Sequence, residues 1–257
     1  MSIFLISFVG ILINIVIFNS RELKTILPRQ KIMMLKRCVN YITGLATGFF
    51  MSKLKEILKS KILIMDGAMG TMLQSYNLNE KDFRGSRFEN HFQDLKGNND
   101  LLCLTQPDII AEIHEAYFNS GADIIETNTF NSNEISQSDY GMEDLVYEIN
   151  FKAASIAKSV SKNYSDKPRF VAGAIGPTNR TATLSPDVNR PEFRNIDFDK
   201  LREVYTDQVQ GLFDGGVDFF LIETVFDTLN CKAALFAVQD FLEQKKIDMP
   251  IFVSGTI

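Results

Sequence analysis

Apolar residues follow two patterns along this chain, and the change falls near residue 51. Residues 3–18 are almost wholly apolar, broken only by Ser7, Gly10 and Asn14. Beyond residue 60 the apolar residues come in short runs separated by amphipathic stretches. Runs at 62–65, 122–127, 169–177, 217–224 and 250–257 have the length of buried strands. Between them, apolar residues recur at helical spacing. Pro107 opens one helix with Asp108 in its first turn, Ile109, Ile110, Ile113 and Tyr117 continue it, and Ser120-Gly121 closes it. Further helices are predicted over about 142–162, 198–214 and 228–245. Residues 74–99 are polar, charged and rich in Asn and Gly, and read as an excursion over the surface; residues 178–197 read as a long loop.

Strand and helix therefore alternate, which predicts a parallel sheet with right-handed crossovers. Two of the strands share an ending, Ile124-Ile125-Glu126-Thr127 and Leu221-Ile222-Glu223-Thr224. The first run ends in Asp66 and a glycine turn, Asp66-Gly-Ala-Met-Gly-Thr71. In parallel α/β folds the carboxyl ends of the strands carry the chemistry, so Asp66, Glu126 and Glu223 are expected to crowd one rim. No G-x-G-x-x-G loop follows the first run, which argues against a dinucleotide site and for a barrel.

Composition narrows this picture. The chain has 257 residues, 45% hydrophobic and 23% charged, enough for a sizeable core. With a net charge of −5, nothing in the composition suggests a nucleic-acid surface. The three cysteines, Cys38, Cys103 and Cys231, form neither a C-x-x-C pair nor a disulfide framework. The two histidines, His91 and His114, are too far apart in sequence to suggest a metal cluster.

Carboxylates crowded at one rim raise each other's pKa unless a cation sits among them. A ligand ammonium is one such cation. The backbone N–H groups of the turn after Asp66 suit the carboxylate of the same ligand, and together they suggest an amino-acid site. Magnesium or calcium is the rival occupant. For Glu126 the plainer alternative is a strand-end acid paired with a neighbouring Lys or Arg.

Four motifs in order, Asp66-Gly-Ala-Met-Gly-Thr71, Glu126-Thr-Asn-Thr-Phe130, Gly176-Pro-Thr-Asn-Arg-Thr-Ala-Thr-Leu-Ser185 and Ile222-Glu-Thr-Val-Phe-Asp-Thr-Leu-Asn230, resemble the homocysteine-binding module of cobalamin-dependent methionine synthase. The resemblance covers about residues 55–257 and is closer to methionine synthase than to betaine–homocysteine methyltransferase, which shares the barrel. It implies a TIM-type (β/α)8 barrel with homocysteine at the carboxyl ends of the strands. The ammonium would meet Asp66 and Glu223, and the carboxylate would meet the N–H groups of Gly67 and Ala68. It also implies zinc, which holds the thiolate, and methylcobalamin on a separate module. The family's zinc-binding cysteines follow its sixth and eighth strands. Neither cysteine stretch occurs here, and Cys103 and Cys231 read as small buried apolar residues, so no zinc site is expected in this chain.

The expected architecture is then an incomplete barrel of about five of eight βα units. Interior residues such as Ile64, Ile125 and Phe220 would face a half-empty lumen, and both sheet edges would stay open. A broken gene, or a split enzyme with a complementing chain supplying the other strands, would account for this. A non-catalytic remnant is the alternative to an enzyme part. Residues 1–50 leave two readings open. Residues 3–20 are just long enough for a transmembrane helix, and the basic residues behind it would keep the rest in the cytoplasm. Alternatively Met51 is the true start of a cytoplasmic protein and the preceding segment is not translated.

Overall fold

Each strand of the sheet is a short, largely apolar run, and the first three are each followed in the chain by a helix. The computed structural model describes residue 54 and residues 56–256. The strands are β1 (Ile124–Glu126), β2 (Phe170–Ile175), β3 (Phe219–Val225) and β4 (Ile251–Gly255). They pair in parallel in chain order. The principal helices are α1 (Met69–Ser75), α2 (Pro107–Asn119), α3 (Val146–Ser161), α4 (Phe198–Gly215) and α5 (Thr228–Lys245). The α/β parallel sheet, α2 from Pro107 to Asn119 and α5 from Thr228 to Lys245 match the sequence reading. Among the described residues no helix is long and apolar enough to cross a membrane. The apolar run at residues 3–20 lies outside them.

The first predicted strand is corrected. Residues 62–65 make a single parallel bridge, Met65 to Ile124. It is held by the Asp66 N–H on the Ile124 carbonyl at 2.9 Å and the Ile124 N–H on the Ile64 carbonyl at 3.1 Å. Nor is the run buried: Ile62 is 83% exposed and Ile64 56%, because no strand of the described residues lies beyond it.

The polar stretch at 74–99 is likewise more than a surface excursion. Phe83 and Leu95 are buried there. Glu80 accepts the N–H groups of Leu95 at 2.9 Å and Lys96 at 2.7 Å, and Arg84 donates to the carbonyls of His91 at 2.7 Å and Gln93 at 3.0 Å. Two apolar anchors in a polar segment are too few to show as periodicity, yet they suffice once charged side chains tie the loop.

Strand alternation places Phe170, Ala172, Phe219, Leu221 and Phe252 on the face that carries Glu126 and Glu223. The Phe219 and Phe252 rings lie 4.5 Å apart. Ile125 and Phe220, expected in the lumen, are fully buried on the other face. Gly173, paired with Phe220, has that face 3.3 Å from Leu212 of α4. Helix α4 lies close on α3: a Cβ on Gly215 would come within 2.5 Å of Ala154.

Aspartates lock the amino ends of two strands. Asp123 accepts the Ile64 N–H at 3.1 Å and pairs with Lys61 at 2.8 Å and Lys167 at 2.6 Å. Asp218 accepts the Val171 N–H at 2.8 Å and pairs with Lys158 at 2.6 Å. Each ties the start of one strand to its neighbour. These ion pairs lie at the end of the strands opposite Glu126 and Glu223.

Candidate functional site

At the carboxyl ends of the strands, Asp66, Glu126 and Glu223 line one cavity of about 420 Å³ together with Gly67 and Ala68. All five residues singled out from the sequence are therefore neighbours. A sixth, Asp100, lines the same cavity and escaped the sequence reading. It sits in a 3-10 turn, Asn99–Leu101, where no periodic pattern marks it. An Asn-Asp pair immediately before an apolar Leu-Leu was the available signal.

Local structure explains how each carboxylate is held. Asp66 follows the bridge at Met65, and its Oδ2 accepts the N–H of Glu126 at 3.0 Å. Its Oδ1 is buried without a partner among the described residues. The turn after it is braced by Tyr117, whose hydroxyl donates to the Ala68 carbonyl at 3.3 Å. Tyr117 would lie 3.2 Å from a Cβ on Gly67. Asp100 accepts the Asn131 N–H at 2.7 Å. Glu126 ends β1, and among the described residues it forms no ion pair, so the Lys or Arg partner weighed from the sequence is not found.

The rest of the Glu126-Thr-Asn-Thr-Phe130 motif is scaffold. Thr127 and Thr129 share a 2.7 Å hydrogen bond, Thr127 accepts the Ala174 N–H at 3.0 Å, and Thr129 donates to the Ala174 carbonyl at 2.7 Å. These hydroxyls continue the β1–β2 pairing past the last ladder bond. Asn128 donates to the Asn99 carbonyl at 2.8 Å, joining this loop to the turn that carries Asp100. Gly176 lets the β2 end approach Phe130, since a Cβ there would strike the Phe130 backbone.

Two other motifs meet across the top of the sheet. Asp227 accepts the N–H groups of Leu229 at 2.9 Å and Asn230 at 3.0 Å, which caps α5. It also accepts those of Ala182 at 2.8 Å and Thr183 at 3.1 Å. Asn230 donates to Thr178 at 2.8 Å and accepts the Tyr205 hydroxyl at 2.5 Å. The 176–185 and 222–230 segments thus hold each other.

Electrostatically the cavity is short of positive charge: among the described residues no Lys, Arg or His lines it. Burial raises the carboxyl of Asp66 to about 7, with the Glu223 charge adding to it. Burial, then the charges of Glu223 and Asp66, raise Glu126 to about 8. Burial raises Asp100 to about 7. Glu223 is raised by burial as well, against a hydrogen bond from the Thr224 hydroxyl that lowers it. The arrangement can hold a cation, and its affinity for one grows as its own protons leave.

Zinc does not fit the described residues. Among the described residues no group of three or more His, Cys, Asp or Glu side chains is placed to hold a metal. Cys103 is buried with its Sγ 3.6 Å from the Asn128 carbonyl oxygen, and its thiol is pushed far up by burial. Cys231 is half-buried in α5, and its thiol is raised by burial too. Neither lines the cavity. Cys38 lies outside the described residues.

A parallel α/β sheet with substrate-sized space and carboxylates at the strand ends is the arrangement of barrel enzymes that act at that rim. The chain belongs to the homocysteine S-methyltransferase family, whose model matches residues 63–257. Among solved structures it is similar to the Escherichia coli homocysteine methyltransferase MmuM. The oxidised form is 20% identical with a TM-score of 0.57, over 73% of this chain and 62% of that one. The metallated form is 19% identical with a TM-score of 0.57 over the same shares. The apo form is 17% identical with a TM-score of 0.54, over 78% of this chain and 62% of that one. The chain thus spans 62% of the length of these structures. At these identities the likeness is one of fold.

Proposed function

We propose that this chain holds the amino-acid end of homocysteine for methyl transfer to its sulfur, giving methionine. One observation carries the reading: Asp66, Glu126 and Glu223 line a single cavity into which no cationic side chain of the described residues reaches. A substrate ammonium supplies the missing charge, and charge-assisted hydrogen bonds to buried carboxylates are about twice as strong as neutral ones. The unpartnered Oδ1 of Asp66 is an acceptor ready for it. Gly67 and Ala68 border the same space, so their backbone N–H groups are the counterpart for the substrate carboxylate.

The methionine synthase type of reaction, with methylcobalamin as donor, rests on the 176–185 and 222–230 motifs. A betaine-dependent enzyme is the alternative within the same family. Activation of the thiol is assigned to none of the described residues, because Cys103 and Cys231 do not fit a zinc site. Catalysis then needs groups supplied from outside the described residues.

Calorimetric titration with L-homocysteine tests the reading. The wild-type chain is expected to bind, and Glu223→Gln to weaken binding by about 1–3 kcal/mol. Equal affinity in the two proteins removes Glu223 from the site. Binding of magnesium or calcium in preference to L-homocysteine would point to the rival occupant of the same carboxylates.

A further inference from the structure

Asp100 lines the cavity and is only 3% exposed. Among the described residues it forms no ion pair. Its Oδ2 accepts the Asn131 N–H at 2.7 Å, which ties the turn at 99–101 to the loop after β1.

Buried amides hold the same two segments together. Asn98 donates to the Gln137 side-chain carbonyl at 2.8 Å and accepts from Gln137 Nε2 at 3.3 Å. Gln137 also donates to the Asn131 carbonyl at 3.1 Å, and Asn128 donates to the Asn99 carbonyl at 2.8 Å. Asn98, Asn128 and Gln137 are all buried. Neutral hydrogen bonds on either side of Asp100 thus fix its place in the cavity wall.

Tying two loops takes an acceptor, not a charge. An asparagine carbonyl would accept the same N–H, without the cost of burying an ionised carboxylate that has no counter-charge. Keeping a carboxylate where an amide would serve makes sense when a cation reaches it. Among the described residues no Lys, Arg or His lines the cavity, and no group of three or more His, Cys, Asp or Glu is placed to hold a metal ion. The cation left is one that a ligand carries into the cavity. An ammonium has three donors and can meet three acceptors at once, so an acid on a separate loop adds to those at the strand ends.

We propose that Asp100 is a further binding residue of this site, a fixed negative charge that selects ligands bearing an ammonium group. This rests on the reading of the cavity as the seat of the amino-acid end of homocysteine.

The full-length chain is titrated calorimetrically at pH 8.5, above the pH of about 7 at which Asp100 titrates. The ligands are L-homocysteine and 4-mercaptobutanoate, which keeps the carboxylate and the thiol but has no ammonium. Asp100→Asn keeps an acceptor for the Asn131 N–H and removes the charge. It is expected to bind L-homocysteine about tenfold more weakly, and 4-mercaptobutanoate no more weakly than the wild type does. Its hydrogen exchange at Asn131 is expected to stay as slow as in the wild type. An equal loss for both ligands, or a loss accompanied by faster exchange at Asn131, would assign Asp100 to the scaffold and overturn the inference. Unchanged affinity for L-homocysteine would overturn it as well. Where 4-mercaptobutanoate binds neither protein, exchange at Asn131 decides. Glu223→Gln separates this inference from the reading beneath it: if that variant binds L-homocysteine more weakly and Asp100→Asn does not, only the role of Asp100 falls. If the wild type does not bind L-homocysteine, the functional reading falls and the role of Asp100 falls with it.

Discussion

Burial pushes the Glu126 carboxyl, at the end of β1, well above its ordinary range. It titrates at about 8 in the folded chain against an ordinary 4.5, and Asp66 at about 7 against 3.8. Between pH 4 and 8 the folded state therefore holds more protons than the unfolded one, and the unfolding free energy falls as pH rises. The stability these groups contribute is fully present below pH 4 and is lost as pH climbs through 7 and 8. Asp123 runs the other way, since its two lysines hold it at about 2, but that places its effect below the window. The ligand-free chain should melt at a lower temperature at pH 8.5 than at pH 5.5. Glu126→Gln should flatten that dependence and add about 2 kcal/mol at pH 8.5, read by denaturant unfolding at both pH values. A melting temperature that rises over the interval would contradict the burial of these carboxyls. Glu126 itself was legible in the sequence as a strand-end acid. Asp100 was not, because a buried acid in a single 3-10 turn has no repeating neighbour to betray it.

At the scale of elements, Asp227 joins two segments that are far apart in sequence. It caps α5 and accepts two N–H groups of the 178–197 loop, one of them from buried Ala182. Asp227→Ala removes a cap, at about 1 kcal/mol, and leaves the Ala182 N–H unpaired, at about 1–2 kcal/mol more. The expected result is a loss of about 2–3 kcal/mol with faster hydrogen exchange at Ala182 and easier proteolysis between residues 178 and 197. Unchanged exchange at Ala182 would show that the loop is held by Asn230 and Tyr205 instead. The helices and the central strands could be read from apolar spacing because packing enforces it: α4 and α5 each bury a continuous stripe. The short elements could not. Helix α1 starts at a turn with two glycines, and the Glu80–Arg84 turn rests on one buried phenylalanine. A register shift in β3 between Ile222 and Val225, where Thr224 has φ 53°, was equally invisible, since nothing in Ile222-Glu-Thr-Val225 advertises a left-handed threonine.

Across the described residues of the molecule, the sheet edges are the exposed feature. Ile62 and Ile64 lie open on the side of β1, and Val253, 50% exposed, on β4 at the other edge. A parallel sheet ordinarily has both faces covered, and an edge with free N–H and C=O groups beside apolar side chains is a template for another strand. Concentration-dependent self-association of the purified chain is the expected consequence, followed by light scattering or sedimentation. A lysine on an edge blocks strand addition without entering the core, so Ile62→Lys with Val253→Lys should suppress association. Substitutions at exposed positions usually move stability by no more than about 0.5 kcal/mol, so the melting temperature should hold. Association that survives both lysines would mean that another surface drives it.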